Sequence, residues 1–383
     1  MSDFRSKLLS FQAATGMLSD IKSESAASTT LDETKSNSTQ TMSIKHRIMH
    51  LWETTQLKSS LKHSRRKRPI SPHGNKDVPI HVAVCACILS KLPHEMIWRC
   101  WMGETDDGLK TGTNIKASML IHAKTPSAVA NESWTKSHLI PVTHNPDWND
   151  IRIVQAMLSL ATYALKSDAT HVMFVTESCI PISTLEALGE EIRKQGIEKS
   201  FVNPYGENSS RCTRFDEHAC FNVPNLPNSS IQKNLPGWCL LSRKHMQAIL
   251  DMPTNYLGGQ ELYPLFSKVW APEEVFFPTA LNLLGFLDSD EVARKSVLWA
   301  KWDTRSKGRD RAHPLTYDGK FGKELVKKAR LEGYFFMRKL KHEMSINSWK
   351  TALIEQHTQK VDSEVVNKSM NATSNTGKEN LHV

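Results

Sequence analysis

The chain predicts an α/β fold: a Rossmann-type, mostly parallel sheet flanked by helices, in a single catalytic domain with disordered tails. Three observations carry this. His81–Leu89 is a nearly continuous apolar run, the pattern of a strand buried on both faces. Strand-like and helix-like segments alternate after it, as they do in open parallel sheets. The stretches outside about 79–345 are polar and carry too few large apolar side chains to build a core.

The strand 81–89 is followed by a helix over Pro93–Trp101 and a second strand over Ala117–His122. Asp150–Leu165 has helical periodicity, with Ile153, Ala156, Met157, Leu160 and Ala161 on one face. His171–Val175 is a third strand and ends at Thr176-Glu177-Ser178. A helix near 183–195, a short strand at 200–203 and a Pro/Asn/Ser-rich loop over 204–236 come next. Trp238–Leu241 forms a strand leading into a helix at 243–251. A helix starts near Pro272, a strand runs near 296–302, and a last helix occupies about 320–331. In such sheets ligands sit beyond the carboxyl ends of the strands, which is where His122, Glu177 and the 204–236 loop fall. Residues 1–78 read as a disordered basic stem, with a short amphipathic stretch at 44–62. Residues 346–383 read as a polar, disordered tail.

The net charge is +9 over 383 residues, which suits a polyanionic partner: nucleic acid, phosphate, an acidic membrane surface or a sugar nucleotide. Much of the excess sits in His63-Ser64-Arg65-Arg66-Lys67-Arg68, a solvated linker, a nuclear address or a processing site. The seven Cys include no CxxC pair, and no His spacing completes a zinc pattern. Cys85 and Cys87 share one face of the first strand as buried thiols, whereas Cys212 and Cys220 flank a polar loop and could close a disulfide in an oxidising compartment. Sequons at Asn37, Asn131, Asn208, Asn228, Asn367 and Asn371 permit a secretory location. No run of about 18 apolar residues encodes a transmembrane helix, and Leu8-Leu9-Ser10-Phe11 is too short for a signal-peptide core. There is no Gly-rich phosphate loop, Ser nucleophile elbow or kinase signature.

Chemistry concentrates in four places. Ala271-Pro272-Glu273-Glu274 is helix-start chemistry, yet a carboxylate at a helix start beside aromatic side chains can also act as a general base. Thr176-Glu177-Ser178 ends a strand where a metal-dependent nucleotide-sugar enzyme would carry Asp-x-Asp, and is a poor metal site. The Asp-x-Asp that does occur, Asp288-Ser289-Asp290, reads as a loop after the helix. Gly333–Leu340 ends in the paired cations Arg338-Lys339 after an aromatic run, either the charged edge of a surface strand or a diphosphate clamp. Trp299 and Trp302, with Lys301 and Asp303, fit core packing or a sugar-stacking site.

In order along the chain, these blocks resemble the Core-2/I-branching N-acetylglucosaminyltransferase family, in particular its plant and algal members. The landmarks are strand 81–89 with Leu92-Pro93 and Trp98, then Ile121-His122, then Trp148 with Ile153, Val154 and Ala156. Phe174-Val175-Thr176-Glu177-Ser178-Cys179-Ile180-Pro181 is similar to the family's Ser-Glu-Ser-Cys-Ile-Pro signature. Glu273-Glu274 with Phe277-Pro278-Thr279 is similar to its Asp-Glu-x-x-x-Pro-Thr segment. Trp302, His313-Pro314 and Phe336-Met337-Arg338-Lys339 resemble its closing motifs.

The resemblance spans roughly 80–340. It implies a GT-A-like fold and an inverting, metal-independent transfer from a UDP-sugar, with no cofactor. Glu274 would be the catalytic base. Lys339, Arg338, His122 and Glu177 would bind the donor, with help from Lys327, Lys328 or Arg330. Trp302 and Glu273 would bind the acceptor. The partners implied are a UDP-sugar, most simply carrying N-acetylglucosamine, and a glycan or glycoprotein hydroxyl, in the Golgi or secretory pathway. Membrane association is expected from the family, although the sequence shows no anchor, and no nucleic acid is expected. Open alternatives are a xylosyl- or glucuronosyltransferase, a basic nucleic-acid-binding protein, and an inactive sugar-binding module.

Overall fold

In the computed structural model the described residues are 78–352, apart from 107, 110–113, 236, 257–260, 303–312, 318–322 and 341–342. Its strands, in chain order, are β1 (Ile80–Ile88), β2 (Ile115–Ala123), β3 (His171–Thr176), β4 (Ile180–Pro181), β5 (Ser200–Phe201), β6 (Pro204–Tyr205), β7 (Lys233–Asn234), β8 (Leu240–Ser242), β9 (Val292–Ala293), β10 (Leu298–Trp299) and β11 (Phe336–Met337). The α-helices are α1 (Glu95–Trp101), α2 (Trp134–Ser137), α3 (Arg152–Lys166), α4 (Leu185–Gln195), α5 (Arg214–Ala219), α6 (Arg243–Tyr256), α7 (Pro272–Leu283) and α8 (Lys323–Leu331).

The main sheet has the order β2-β1-β3-β8-β5-β9. Neighbours are parallel except around β8, which runs against β3 and β5. The apolar run of β1 is buried at every position because it lies inside the sheet between β2 and β3, with α3 packed on it. The register puts Cys87 opposite both His122 and Thr176. That row is the carboxyl edge of the sheet, and Glu177 continues it. Helix α3 turns Val154, Ala156, Met157, Leu160 and Ala161 into the core. Ile153, expected on that face, is only half-buried.

A second, three-stranded sheet has the order β10-β11-β4, and β6 pairs with β7 in an antiparallel ribbon. The 204–236 segment, expected to be loop throughout, thus holds β6, α5 and β7. Pro204 and the polar pair Lys233-Asn234 carry no strand periodicity, so their pairing is a tertiary effect.

Strand β11 is the buried centre of the small sheet, not a surface strand. Phe336 meets Trp98 and Trp101 of α1 at ring-centroid distances of 6.1 and 5.7 Å. The Trp101 indole donates to the Ser183 carbonyl at 2.8 Å. Residues 346–352, expected to belong to a loose tail, are helical. Within them Trp349 is 1% exposed and donates to the Pro181 carbonyl at 2.7 Å, fastening β4. The rest of that tail, residues 1–77, the basic run and the 44–62 stretch lie outside the described residues.

The disulfide considered between Cys212 and Cys220 is not formed; both are free thiols. Cys220 is buried and its Sγ donates to the Trp270 carbonyl at 3.5 Å, while the Cys212 thiol turns to the Thr213 carbonyl. Burial raises the pKa of Cys85 and Cys87, which makes both poor thiolates.

Candidate active site

Helix α7 starts under tight local control. Ala271, in the left-handed region at φ 49°, turns the chain into Pro272 at the first helical position. Its amide donates to the Asn149 side chain. The fixed φ of Pro272 pre-organises this helix start, and the helix dipole favours acids in its first turn. Pro278 lies four residues beyond Glu274 and has no N–H, so the Glu274 carbonyl lacks its usual helical donor. Thr279 fastens the helix instead: its hydroxyl accepts from the Gln232 amide at 2.9 Å and donates to the Gln232 carbonyl at 3.2 Å. Asn282 adds a bond to the Ser230 carbonyl at 2.8 Å. These bonds set the register of β7 against α7, and the next residue, Lys233, comes to lie over Glu274.

Lys233 Nζ is 3.4 Å from Glu274 Oε2 and 2.7 Å from Asp216 Oδ1. Asp216 is itself held by a capping box, in which Thr213 accepts from the Asp216 amide while the carboxylate accepts from the Thr213 amide. Lys233 and Asp216 are both buried. Burial alone would lower the Lys233 pKa, but the charge of Glu274 and the bond to Asp216 more than offset it and raise it. Burial acts likewise against the Asp216 carboxylate, and the bond to Lys233 wins and lowers its pKa. The three groups form a carboxylate–ammonium–carboxylate line.

Gly237 closes the other side of Glu274. A Cβ there would lie 2.3 Å from Glu274 Cγ, far inside contact distance. Only glycine lets the carboxylate occupy this place.

Glu273 is different. Its Oε2 is shielded from water and has no hydrogen-bond partner. Burial, followed by the charge of Glu274, pushes its pKa up to about 7. The adjacent acids therefore differ: Glu274 faces a cation, and Glu273 is near its titration point at neutral pH.

The cations Arg338 and Lys339 approach from β11. The Arg338 amide donates to the Trp299 carbonyl at 2.9 Å, and the Leu340 amide to the Ser178 carbonyl at 3.0 Å. The Arg338 guanidinium lies 5.6 Å from the ring centroid of Trp238, the neighbour of Gly237. Its charge is felt by both Glu273 and Glu177. Burial raises the Glu177 pKa, against the pull of its own amide and of Lys339 and Arg338. Burial and Arg338 lower the Lys339 pKa, while Glu177 raises it. No ion pair to either cation occurs among the described residues.

The structure thus gathers Glu177, Glu273, Glu274, Arg338 and Lys339 at the carboxyl edge of the sheet. His122, buried, lies on β2, two strands from the β3 end that carries Glu177. Its Nε2 accepts from the His144 amide at 2.8 Å, its ring stacks on His144, and burial lowers its pKa to about 4. One ring nitrogen is therefore committed to the protein. Trp302 is half-buried and bridges Pro314. Of the helix α8 cations, Arg330 is the most enclosed, and burial lowers its pKa, while Lys328 faces Glu332 at 4.0 Å on the surface. Asp290 of the Asp-x-Asp pairs with Lys199 at 2.9 Å in the turn before β9. Among the described residues no three His, Cys, Asp or Glu side chains are grouped as metal ligands.

Lys233 and Asp216 did not stand out in the sequence; for Gly237-Trp238 a signal existed, since a glycine at a strand start marks close backbone approach.

The family profile described as Core-2/I-branching enzyme matches residues 118–330, more than half of the chain. The protein is a glycosyltransferase, with a sugar donor and a glycan acceptor as its substrates. More narrowly, it belongs to the Core-2/I-branching enzyme family. No curated protein sequence matches the chain. Among solved structures, galactosyltransferase LgtC in complex with donor and acceptor sugar analogs aligns at 11% identity, over 56% of this chain and 72% of that chain, with a TM-score of 0.31.

Proposed function

We propose that the enzyme transfers a sugar, most simply N-acetylglucosamine, from a UDP-sugar to a glycan hydroxyl with inversion and without a metal. The observation that carries this is Glu274 ion-paired to Lys233 and seated against Gly237, with the Arg338 guanidinium over Trp238, the residue after Gly237. Glu274 takes the proton of the acceptor hydroxyl as that oxygen attacks the anomeric carbon. The bond to the UDP oxygen breaks on the far face. A placed base contributes roughly 10²–10⁴-fold in rate. Arg338 and Lys339, fixed in position and unpaired among the described residues, meet the charge growing on the diphosphate without reorganising. Lys233 acts on Glu274 by holding it in place through their ion pair; it is a positioning residue. Glu273, able to carry a proton near neutral pH, is suited to donate a hydrogen bond to an acceptor oxygen.

The test is UDP release from UDP-N-acetylglucosamine, UDP-xylose and UDP-glucuronate in EDTA, with wild type and Glu274→Gln. EDTA-resistant turnover that the substitution lowers by about 10²-fold or more is expected. Strict dependence on manganese, or full activity of the variant, would overturn the mechanism. The donor that turns over fastest separates N-acetylglucosamine transfer from its xylosyl and glucuronosyl alternatives. Residence in the Golgi is proposed from the family; among the described residues no helix is long and apolar enough to cross a membrane.

A further inference from the structure

Few large apolar side chains are exposed among the described residues, and two of them, Trp148 and Phe215, are aromatic and meet the same third ring. Trp148 is 64% exposed and lies edge-on to Trp270, with centroids 4.6 Å apart and planes at 85°. Phe215 is 49% exposed and meets Trp270 at 5.3 Å and 90°. His313 closes the row, 5.5 Å from Trp148. Trp270 stands at right angles to each of the two exposed rings, so together they make a corner rather than a flat plate. Four separate chain segments supply it, and leaving such rings in water is unfavourable unless something covers them.

The corner is rigid and adjoins the site. The Trp270 amide donates to the Ala219 carbonyl at 2.7 Å, and its carbonyl accepts from the Cys220 thiol. Asn149, beside Trp148, holds the Ala271 amide. The residue after Trp270 is therefore fixed to the residue after Trp148, and the first turn bearing Glu274 follows at once. Phe215 precedes Asp216, so one turn of α5 presents its ring outward and the Lys233 partner inward. His313 precedes Pro314, which bridges to Trp302. The corner runs from the base side of the site to that tryptophan.

We propose that Trp148, Trp270 and Phe215, with His313, form a stacking subsite for one pyranose ring of the acceptor glycan, at least one sugar unit from the hydroxyl that faces Glu274. One ring lies against the apolar C–H face of the sugar and its perpendicular neighbour flanks the edge, which is the shape a single six-membered ring fills. The enzyme then prefers oligosaccharide acceptors that reach both Glu274 and the corner. The subsite presupposes the transferase function proposed above, but the two fail separately, because the first experiment reads binding without donor.

That experiment is binding of the full chain to a printed array of oligosaccharides, with wild type, Trp148→Ala, Trp148→Phe, Trp148→Leu and Phe215→Ala. Wild type should retain a set of oligosaccharides and Trp148→Ala should lose about tenfold in apparent affinity for them. Trp148→Phe should keep most of it and Trp148→Leu should behave as alanine, since stacking needs a ring and not merely apolar surface. Transfer assays on the retained glycans should then show the loss in acceptor KM, with melting temperatures unchanged. Should Trp148→Ala not fold, Phe215→Ala tests the same corner from its other ring. No glycan bound by wild type, equal binding by both alanine variants, or full binding by Trp148→Leu would each overturn the subsite. Absent UDP-sugar turnover beside tryptophan-dependent glycan binding would sink the transferase proposal and leave the corner standing.

Discussion

The acid side and the basic side of the site are built in opposite ways. On the acid side Glu274 is pinned before any substrate arrives. Lys233 pairs with it, Asp216, itself capped by Thr213, holds Lys233, Thr279 fixes the strand that carries Lys233, and Gly237 leaves room for nothing else. On the basic side Arg338 and Lys339 are positioned by backbone bonds, and no carboxylate forms an ion pair with either of them among the described residues. On the proposed mechanism the base must be in position when the acceptor arrives, and its ion pair fixes it in advance. Cations that receive a departing diphosphate must keep their charge free, so only their backbone is fixed.

That contrast can be broken from either side. The largest effect is expected from Lys233→Met, which leaves the buried Asp216 and the half-buried Glu274 without their cation. Removing one partner of such a pair costs about 3–5 kcal/mol. Chemical denaturation should show this loss, and adding Asp216→Asn should recover part of it. Equal stability of Lys233→Met and wild type would mean that the acid side is not prepaid by this line. Gly237→Ala comes next: its Cβ must displace Glu274, and a misplacement of about 1 Å is worth about 10²-fold in kcat. Steady-state rates at saturating donor check it.

On the basic side, Lys339→Ala should act mainly through the donor. A charged hydrogen bond of about 1.5–3 kcal/mol corresponds to roughly 10–150-fold in kcat/KM for the UDP-sugar, with little change in melting temperature because no ion pair is lost. A stability loss as large as that of Lys233→Met would erase the distinction between the two sides. The smallest effect is a slope with pH. The Glu273 pKa is raised from 4.5 to about 7 in the folded protein. Its contribution to stability is therefore fully present below pH 4.5 and lost as pH rises through 7. The melting temperature of wild type should fall relative to Glu273→Gln across that window, and parallel curves would show that Glu273 is not shielded as described.

How much of this was legible depended on which physical signal each element leaves. β1, α3 and the start of α7 write themselves locally: a continuous apolar run, a period of 3.6, and Pro followed by acids. The 204–236 segment did not, because Lys233-Asn234 and Pro204-Tyr205 have no strand pattern and become strands only against one another. The helical residues 346–352 were hidden by polar neighbours around one tryptophan, whose burial depends on β4. The two thiols of Cys212 and Cys220 flank one loop in sequence yet face different partners.

By itself the sequence determined the alternation of strands and helices, the carboxyl edge as the place of the site, and Glu274, Arg338 and Lys339 as residues worth finding there. Each is a property of a short segment or of the order of segments. Only the tertiary structure decided that Lys233 and Asp216 stand behind Glu274, that Gly237 makes its seat, and that Trp148, Trp270 and Phe215 form a corner beside it. Those are contacts between segments tens of residues apart, and a pair of side chains that meet only after the chain has closed on itself leaves no pattern along the chain.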